Sequence, residues 1–257
     1  MSGLVLDRLS VTLGGRPVLR EVTLAVPAGT LLAVVGPNGA GKTSLLRAVA
    51  GLAPCTGTLS LAGDDVKGGP SGSRARRIAY LPQRSEFAWA LGVRDAVMLG
   101  RLPHGDPFSG ATAEDRRAVD AALDRLGLAG FAARPVTELS GGERARVMLA
   151  RVLATEAPLV LADEPTAALD PAHQLAVLGL LRDVAAEGRI VVAVLHDLAL
   201  AARFADQVAV LHEGRLTAIG PPDAALSDGV LGEVFGLAFA HAAVDGRRVP
   251  IPLGPRR

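Results

Sequence analysis

The chain has 257 residues, which is enough for one large domain with a subdomain and a sizeable buried core. Apolar residues make up 49% of it and charged residues 21%, which excludes a disordered chain, and the formal net charge of +1 gives no strong field for nucleic acid or an acidic substrate. The single cysteine, Cys55, excludes a disulfide framework and a cysteine-rich metal site and favours a reducing, cytosolic location.

The N-terminal region predicts mainly strands. Alternating apolar residues over 4–13 and 18–26 indicate two strands joined by a turn, and 59–62 and 78–81 indicate two shorter strands. Between the short strands, residues 66–77 are rich in glycine and serine and end in several arginines. We predict a loop with a solvated basic end for this segment.

A phosphate-binding pattern follows the buried strand predicted at Leu31–Val35. The pattern G-x-x-x-x-G-K-[ST] is matched at every fixed position by Gly36, Pro37, Asn38, Gly39, Ala40, Gly41, Lys42 and Thr43, and Ser44 opens a helix predicted over 44–50. Glycines let backbone N–H groups and the helix N-terminus face phosphate oxygens. Lys42 is then expected to reach the β- and γ-phosphates of a nucleotide, and the Thr43 hydroxyl to bind Mg²⁺. The alternative is a plain glycine-rich turn, and the flanking strand and helix count against it.

Two further regions and a tail follow. Residues 83–154 have mainly helical periodicity, which predicts a helical subdomain inserted into an α/β domain. Residues 155–240 alternate strands with helices, which predicts a mostly parallel sheet with helices on both faces. The tail over 241–257 is rich in proline and arginine, and the sequence leaves open whether it is a loose end or a strand. The helices are predicted at 93–101, 113–126, 171–186 and 198–205, and the strands at 159–162, 190–195 and 208–211.

The strand predicted at 159–162 is followed by two adjacent carboxylates, Asp163 and Glu164. Because successive strand residues point to opposite faces, we expect the two acids to have different roles. Asp163 fits a carboxylate that helps to hold Mg²⁺, and Glu164 fits a base that orients water for attack on a γ-phosphate. The alternative is a solvated acid pair in a turn before Pro165.

Four further stretches, taken with the phosphate loop and the carboxylates, give the chain a family resemblance. They are Gln83 after residues 78–82, the stretch Leu139-Ser140-Gly141-Gly142-Glu143, the stretch Ala167-Ala168-Leu169-Asp170, and His196 at the end of a predicted strand. In this order the chain resembles the ATPase subunits of ATP-binding cassette transporters over nearly its whole length. The resemblance implies one α/β phosphate-loop domain over 1–257, with an N-terminal antiparallel β subdomain and an inserted helical subdomain.

The resemblance also implies roles for residues that the chemistry alone leaves open. Gln83 would contact Mg²⁺ and the attacking water and link the site to a membrane partner, and His196 would contact the γ-phosphate. Ser140, Gly141 and Gly142 would open a helix over 143–154 and bind the nucleotide of a second copy of the chain. Two ATP molecules would then lie between two head-to-tail copies, with Asp170 near the interface of the two copies. The expected catalytic set is Lys42, Gln83, Glu164 and His196, and the expected Mg²⁺ ligands are Thr43, Gln83 and Asp163.

The chain departs from the family pattern at three positions. Leu13 stands where an aromatic ring usually stacks on adenine, and such stacking is worth about 0.5 to 1.5 kcal/mol beyond the buried area. We therefore expect weakened selectivity against GTP, which a comparison of GTP and ATP hydrolysis rates measures. Glu143 replaces a commoner glutamine and Ala167 a commoner serine, and neither change touches a group that must bind phosphate.

The run over residues 87–104 and the stretch over 170–174 are similar to ATPases of bacterial importers for iron-siderophores, haem and cobalamin. This similarity implies integral membrane permease subunits as partners, with residues 87–93 near the groove for a permease helix. It also implies a periplasmic or surface substrate-binding protein and no nucleic acid.

With no signal-like N-terminus and no apolar run of about 18 residues, we expect a peripheral protein on the cytoplasmic face of the plasma membrane. The lack of a long C-terminal regulatory domain differs from many sugar importer ATPases. The alternatives are another importer, for instance of zinc or manganese, an exporter, and a non-transport cassette ATPase. A phosphate-loop kinase and a binding module with a dead site are further alternatives, which the stretch at 139–143 and the intact Lys42, Asp163 and Glu164 disfavour.

Overall fold

The computed structural model describes residues 3–68, 71–83, 90–105, 110–167 and 169–255. Its strands are β1 (Gly3–Leu13), β2 (Arg16–Pro27), β3 (Leu31–Val35), β4 (Thr56–Leu61), β5 (Asp64–Asp65), β6 (Ile78–Leu81), β7 (Leu159–Asp163), β8 (Ile190–Val194), β9 (Gln207–His212), β10 (Arg215–Gly220), β11 (Leu237–Val244) and β12 (Arg247–Pro255). Its α-helices are α1 (Lys42–Val49), α2 (Ser71–Arg77), α3 (Val93–Met98), α4 (Ala113–Arg125), α5 (Gly141–Leu153), α6 (Pro171–Ala186), α7 (Leu198–Phe204), α8 (Pro222–Ala225) and α9 (Asp228–Phe235).

The central sheet has six strands in the order β10-β9-β3-β8-β7-β6. All neighbours in it are parallel except β10, which runs antiparallel to β9. β3 and β8 are buried along their whole length, as their continuous apolar runs predict for strands covered on both faces. In β3, Leu31 and Ala33 join the core cluster on one face, whereas Leu32 and Val34 join the cluster on the other. The phosphate loop therefore follows a strand that is fixed from both sides.

A second sheet, ordered β2-β1-β4-β5, covers one face of this core. β1 pairs antiparallel with β2 and with β4, so that Leu4 lies opposite Val26 on one side and Leu61 on the other. These three side chains pack in the same cluster as the apolar face of α1. This sheet is the predicted antiparallel β subdomain, and the predicted fold class is confirmed.

A helical subdomain of α3, α4 and α5 packs on the other side. The two longer helices, α4 and α5, both begin at a capping box. In each box the cap hydroxyl accepts a hydrogen bond from the backbone N–H of the third helical residue, and the acidic side chain of that residue accepts one from the backbone N–H of the cap residue. Thr112 and Asp115 form the box of α4, and Ser140 and Glu143 form that of α5. The buried faces of α4 and α5 belong to the same core cluster as α6, so this subdomain is continuous with the sheet. Its proposed limits at 83 and 154 remain a prediction.

One segment differs from the sequence-based prediction, and another answers a question that the sequence left open. Residues 66–77 do not form a loop throughout, because α2 occupies Ser71–Arg77. The guanidinium of Arg74 donates to the carbonyl oxygens of Val66 and Lys67 at the start of the same segment, and these contacts stabilise a helix that the local composition does not favour. The described part of the tail, 241–255, is not a loose end, since β11 and β12 form an antiparallel hairpin that packs on α7.

The described parts of the chain contain no helix that combines the length and apolarity a membrane crossing requires.

A buried ion pair ties the helical subdomain together, and its removal should destabilise the fold. The Arg101 guanidinium donates to Asp115 at 2.9 Å and to Glu156 at 2.7 Å, and the Arg101 side chain is 3% exposed. The hydrogen bond from Arg101 lowers the pKa of Asp115 to about 2. Asp115→Asn should therefore lower the free energy of unfolding by about 3 kcal/mol at pH 7, because a buried cation loses a partner. Urea denaturation measures this difference.

The pH dependence and a matched control distinguish this pair from a surface ion pair. Because the folded-state pKa of Asp115 lies below its unfolded value of 3.8, the pair stabilises the fold fully above pH 4 and progressively less as pH falls towards 2. The difference between the two proteins should shrink over that window. Asp120→Asn, on the exposed face of the same helix beside Arg94, should cost only about 0.5 kcal/mol. Equal losses in the two variants would contradict the assignment.

Candidate active site

The loop between β3 and α1 curls in a way that only glycine permits at two positions. Gly36 has a φ of +148° and Gly41 a φ of +99°. A Cβ on Gly36 would lie 2.1 Å from the carbonyl oxygen of Leu211, and a Cβ on Gly41 would lie 2.5 Å from Cδ2 of Leu19. α1 then begins at Lys42 with no side-chain cap and no acid in its first turn. Its first N–H groups are therefore left for an anion bound in the loop.

Lys42 lies inside the concave side of this loop and is 6% exposed. Its ammonium donates to the carbonyl oxygens of Gly36 at 2.8 Å and of Pro37 at 2.9 Å. Burial lowers the pKa of Lys42, and the nearby carboxylates of Glu164 and Asp163 oppose that shift. The ammonium is placed where phosphate oxygens held by the loop would meet it.

A cavity of about 220 Å³ opens in front of the loop. Its lining residues are Val18, Asn38, Gly39, Gly41, Lys42, Thr43, Ser44, Glu164 and His196. The fold thus brings the predicted base and the predicted γ-phosphate residue to the phosphate loop, although they follow it by more than 120 residues in the sequence. Leu13, at the exposed end of β1, is not among the described residues that line this cavity, whereas Val18 of β2 is.

Asp163 ends β7 and is 1% exposed. Its Oδ1 accepts from the Thr43 hydroxyl at 3.1 Å, and its Oδ2 accepts from the Tyr80 hydroxyl at 3.2 Å. Burial raises the pKa of Asp163, and the two hydrogen bonds oppose the rise. Burial beside this carboxyl also raises the pKa of Tyr80. A hydroxyl and a carboxylate oxygen side by side fit Mg²⁺, which takes few protein oxygens and keeps several waters. Gln83 contacts Glu164 instead and is not among the described residues that line the phosphate-loop cavity.

Glu164 lies just past the end of β7 with a φ of +51°, so the predicted strand alternation is not what separates the two acids. The left-handed backbone at Glu164 turns its carboxylate towards two other loops. Its Oε1 lies 2.6 Å from Nε2 of His196, and its Oε2 accepts from Nε2 of Gln83 at 2.6 Å. A side chain with a Cβ adopts this conformation at a cost of about 1 to 3 kcal/mol, which surrounding contacts must offset.

The residues predicted to bind the nucleotide of a second copy lie apart from this cavity. Ser140 caps α5, and its backbone N–H donates to Glu143 at 2.7 Å. That hydrogen bond lowers the pKa of Glu143, because it stabilises the ionised carboxylate. Gly141 lines a separate cavity of about 170 Å³ with Gln83 and Glu164. Among the described residues, Ser140, Gly141 and Gly142 do not line the phosphate-loop cavity of their own chain.

Sequence reasoning missed one residue of the site and placed others where the structure gives no description. Tyr80 was predicted only as part of a strand, and the one signal for its role was its position three residues before Gln83. Phe87, Trp89 and Ala168 lie outside the described residues, so the expected permease groove at 87–93 is described only from residue 90 onwards.

The described fold and site define a phosphate-loop nucleoside triphosphatase built on a mostly parallel sheet. Residues 19–167 match the family model described as ABC transporter. The chain therefore belongs to the ABC transporter family and is an ABC-type ATPase, and the resemblance found in the sequence is confirmed.

Among its relatives, the hemin import ATP-binding protein HmuV of Streptomyces coelicolor is 51% identical over 230 residues, which cover 88% of this chain and 81% of the relative. The cobalamin import ATP-binding protein BtuD of Halobacterium salinarum is 48% identical over 229 residues, which cover 88% of this chain but only 57% of the relative. Among solved structures, a metal-chelate type ABC transporter in an inward-facing conformation aligns with a TM-score of 0.85 at 28% identity and covers 98% of each chain.

Proposed function

We propose that this protein is the ATPase subunit of an importer that takes up a metal chelate, namely haem, an iron-siderophore or cobalamin, through partner permease subunits. The observation that carries the ATPase part is the meeting of Lys42, Asp163, Glu164 and His196 at one glycine-rich loop. The cargo class rests on the named relatives, two of which are hemin and cobalamin import ATP-binding proteins.

Each side chain has a separate task in the proposed reaction. The loop N–H groups and Lys42 hold the triphosphate of ATP. Thr43, Asp163 and Gln83 supply the oxygen ligands for Mg²⁺, which when bound neutralises charge that develops on the phosphates. Glu164 accepts a hydrogen bond from the attacking water and takes its proton, and His196 stabilises the γ-phosphate. In the described chain His196 and Gln83 both hold the Glu164 carboxylate, which keeps it at the cavity wall.

A second copy of the chain completes the site in this proposal. Ser140, Gly141 and Gly142 open α5 and lie outside their own phosphate-loop cavity, so they are free to close over the nucleotide of the partner copy. Closure on ATP and reopening after hydrolysis would drive the permease by a population shift. The protein would then lie on the cytoplasmic face of the membrane, where the permease holds it. A periplasmic or surface binding protein would be an indirect partner that acts through the permease.

Reconstitution with its transport partners tests the proposal. The permease and binding protein encoded beside this chain are to be purified with it and placed in lipid vesicles. ATP hydrolysis should rise several-fold when the binding protein carries one metal chelate, with matching uptake into the vesicles. Haem, a ferric siderophore, cobalamin and a free zinc salt are compared in parallel. Stimulation by zinc alone, or ATP-driven movement in the opposite direction, would contradict chelate import while leaving the ATPase assignment intact.

A further inference from the structure

Tyr80 is the only tyrosine among the 257 residues, and the reaction outlined above gives it no task. It lies on β6, and its register partner on β7 is Leu161, two residues before Asp163. The ring is partly buried against the core cluster on the α1 side of the sheet, and its hydroxyl lies 3.2 Å from Oδ2 of Asp163. Among the residues of β6, Tyr80 is thus the one whose side chain forms a hydrogen bond with the Asp163 carboxylate.

The contacts of Asp163 explain why a second donor matters. A carboxylate rotates about its last side-chain bond unless both of its oxygens are held by hydrogen bonds. Asp163 is almost fully buried, so these hydrogen bonds come from the protein. The Thr43 hydroxyl holds Oδ1 in the described chain, but the same hydroxyl is the group proposed to bind Mg²⁺. Tyr80 therefore supplies a hydrogen bond to Asp163 that does not depend on what Thr43 binds.

We propose that the Tyr80 hydroxyl is a positioning group that holds the Asp163 carboxylate in the orientation that binds the Mg²⁺ of the Mg²⁺–nucleotide complex. The proposal rests on the proposed ATPase site. Tyr80 itself does not touch the nucleotide. Its loss should weaken the metal-dependent part of nucleotide binding and leave the metal-independent part unchanged, because the phosphate loop and Lys42 remain intact.

Calorimetric titration of the full chain with ADP separates the two parts. In EDTA, Tyr80→Phe should bind ADP within about twofold of the wild-type affinity. The affinity for ADP is then measured at a series of Mg²⁺ concentrations. The Mg²⁺ concentration that gives half of the Mg²⁺-dependent gain in affinity should be about tenfold higher in Tyr80→Phe than in the wild type. A change of this size is typical for the loss of a group that orients a metal ligand. Thr155→Val is the matched control, since it also removes a buried hydroxyl but one that bonds to the Val152 carbonyl away from the site.

The outcomes separate this inference from the proposed function. An unchanged Mg²⁺ requirement in Tyr80→Phe, or an equal loss of affinity with and without Mg²⁺, would show that the ring only packs and would overturn the inference alone. Nucleotide affinity of the wild-type chain that does not depend on Mg²⁺ would overturn both.

A second measurement needs no substitution at Tyr80 and so does not depend on how the variant folds. Labelling the ring carbon that bears the hydroxyl with ¹³C gives one tyrosine resonance in the whole chain, because no other tyrosine is present. With ADP bound, this resonance should shift as Mg²⁺ is added, and the shift should be absent in Asp163→Asn. A resonance whose chemical shift does not change when Mg²⁺ is added to the wild-type chain would overturn the proposal.

Discussion

Glu164→Gln is expected to lower ATP turnover by about a hundredfold or more while ATP–Mg²⁺ still binds. The amide keeps the size of the side chain and one oxygen that can accept from Gln83, but it cannot take a proton from water, and loss of a general base typically costs about 10² to 10⁴ in rate. Because the γ-phosphate then stays in place, two copies should remain closed over two nucleotides. Phosphate release measures turnover, and size-exclusion chromatography in ATP–Mg²⁺ measures the dimer.

The control for this variant is Glu187→Gln, which removes the same charge from an exposed ion pair with Arg125. It should leave both turnover and assembly near wild-type values. A Glu164→Gln protein that elutes as a monomer in ATP–Mg²⁺ would contradict the proposed closure by a second copy. Retained turnover would contradict the assignment of Glu164 as the base.

Lys42→Ala should weaken nucleotide binding itself, by about tenfold to a hundredfold. The ammonium is buried in the loop and would contribute a charge-assisted hydrogen bond to phosphate, which is worth about 1.5 to 3 kcal/mol. Its present hydrogen-bond acceptors are two loop carbonyl groups, and its removal also takes a nearby cation away from the buried Asp163 carboxylate. Calorimetry with ATP measures the loss of affinity, and thermal unfolding checks that the loop still folds.

Lys67→Ala is a matched control for Lys42→Ala, because these two residues are the only lysines in the chain. Lys67 donates to the Gly57 carbonyl at the protein surface, away from the phosphate loop. Its replacement should leave ATP affinity unchanged within about twofold. An unchanged affinity in Lys42→Ala would count against the phosphate loop as the nucleotide site.

Local patterns in the sequence were sufficient for the phosphate loop and for most of the elements up to β9, but they did not predict β10, α8, α9 or β11. Buried parallel strands have continuous apolar runs, antiparallel strands alternate, and a glycine-rich turn between strand and helix has few other uses. The segment at 66–77 shows the limit of such patterns. Its glycines and serines favour a loop, but Arg74 donates back to the carbonyl groups of Val66 and Lys67 in the same segment, and composition does not indicate such specific side-chain contacts.

The tertiary structure alone decided how the site residues meet. Gln83, Glu164 and His196 are separated by dozens of residues, and the order β3-β8-β7-β6 brings the ends of their strands together. The same strand order places Tyr80 against Asp163, and the left-handed turn at Glu164 directs the two neighbouring acids to different partners. Periodicity and turn chemistry act over a few residues, whereas strand order depends on how the whole core packs. The sequence by itself therefore predicted which residues carry the chemistry, apart from Tyr80, and the packed sheet decided which of them touch.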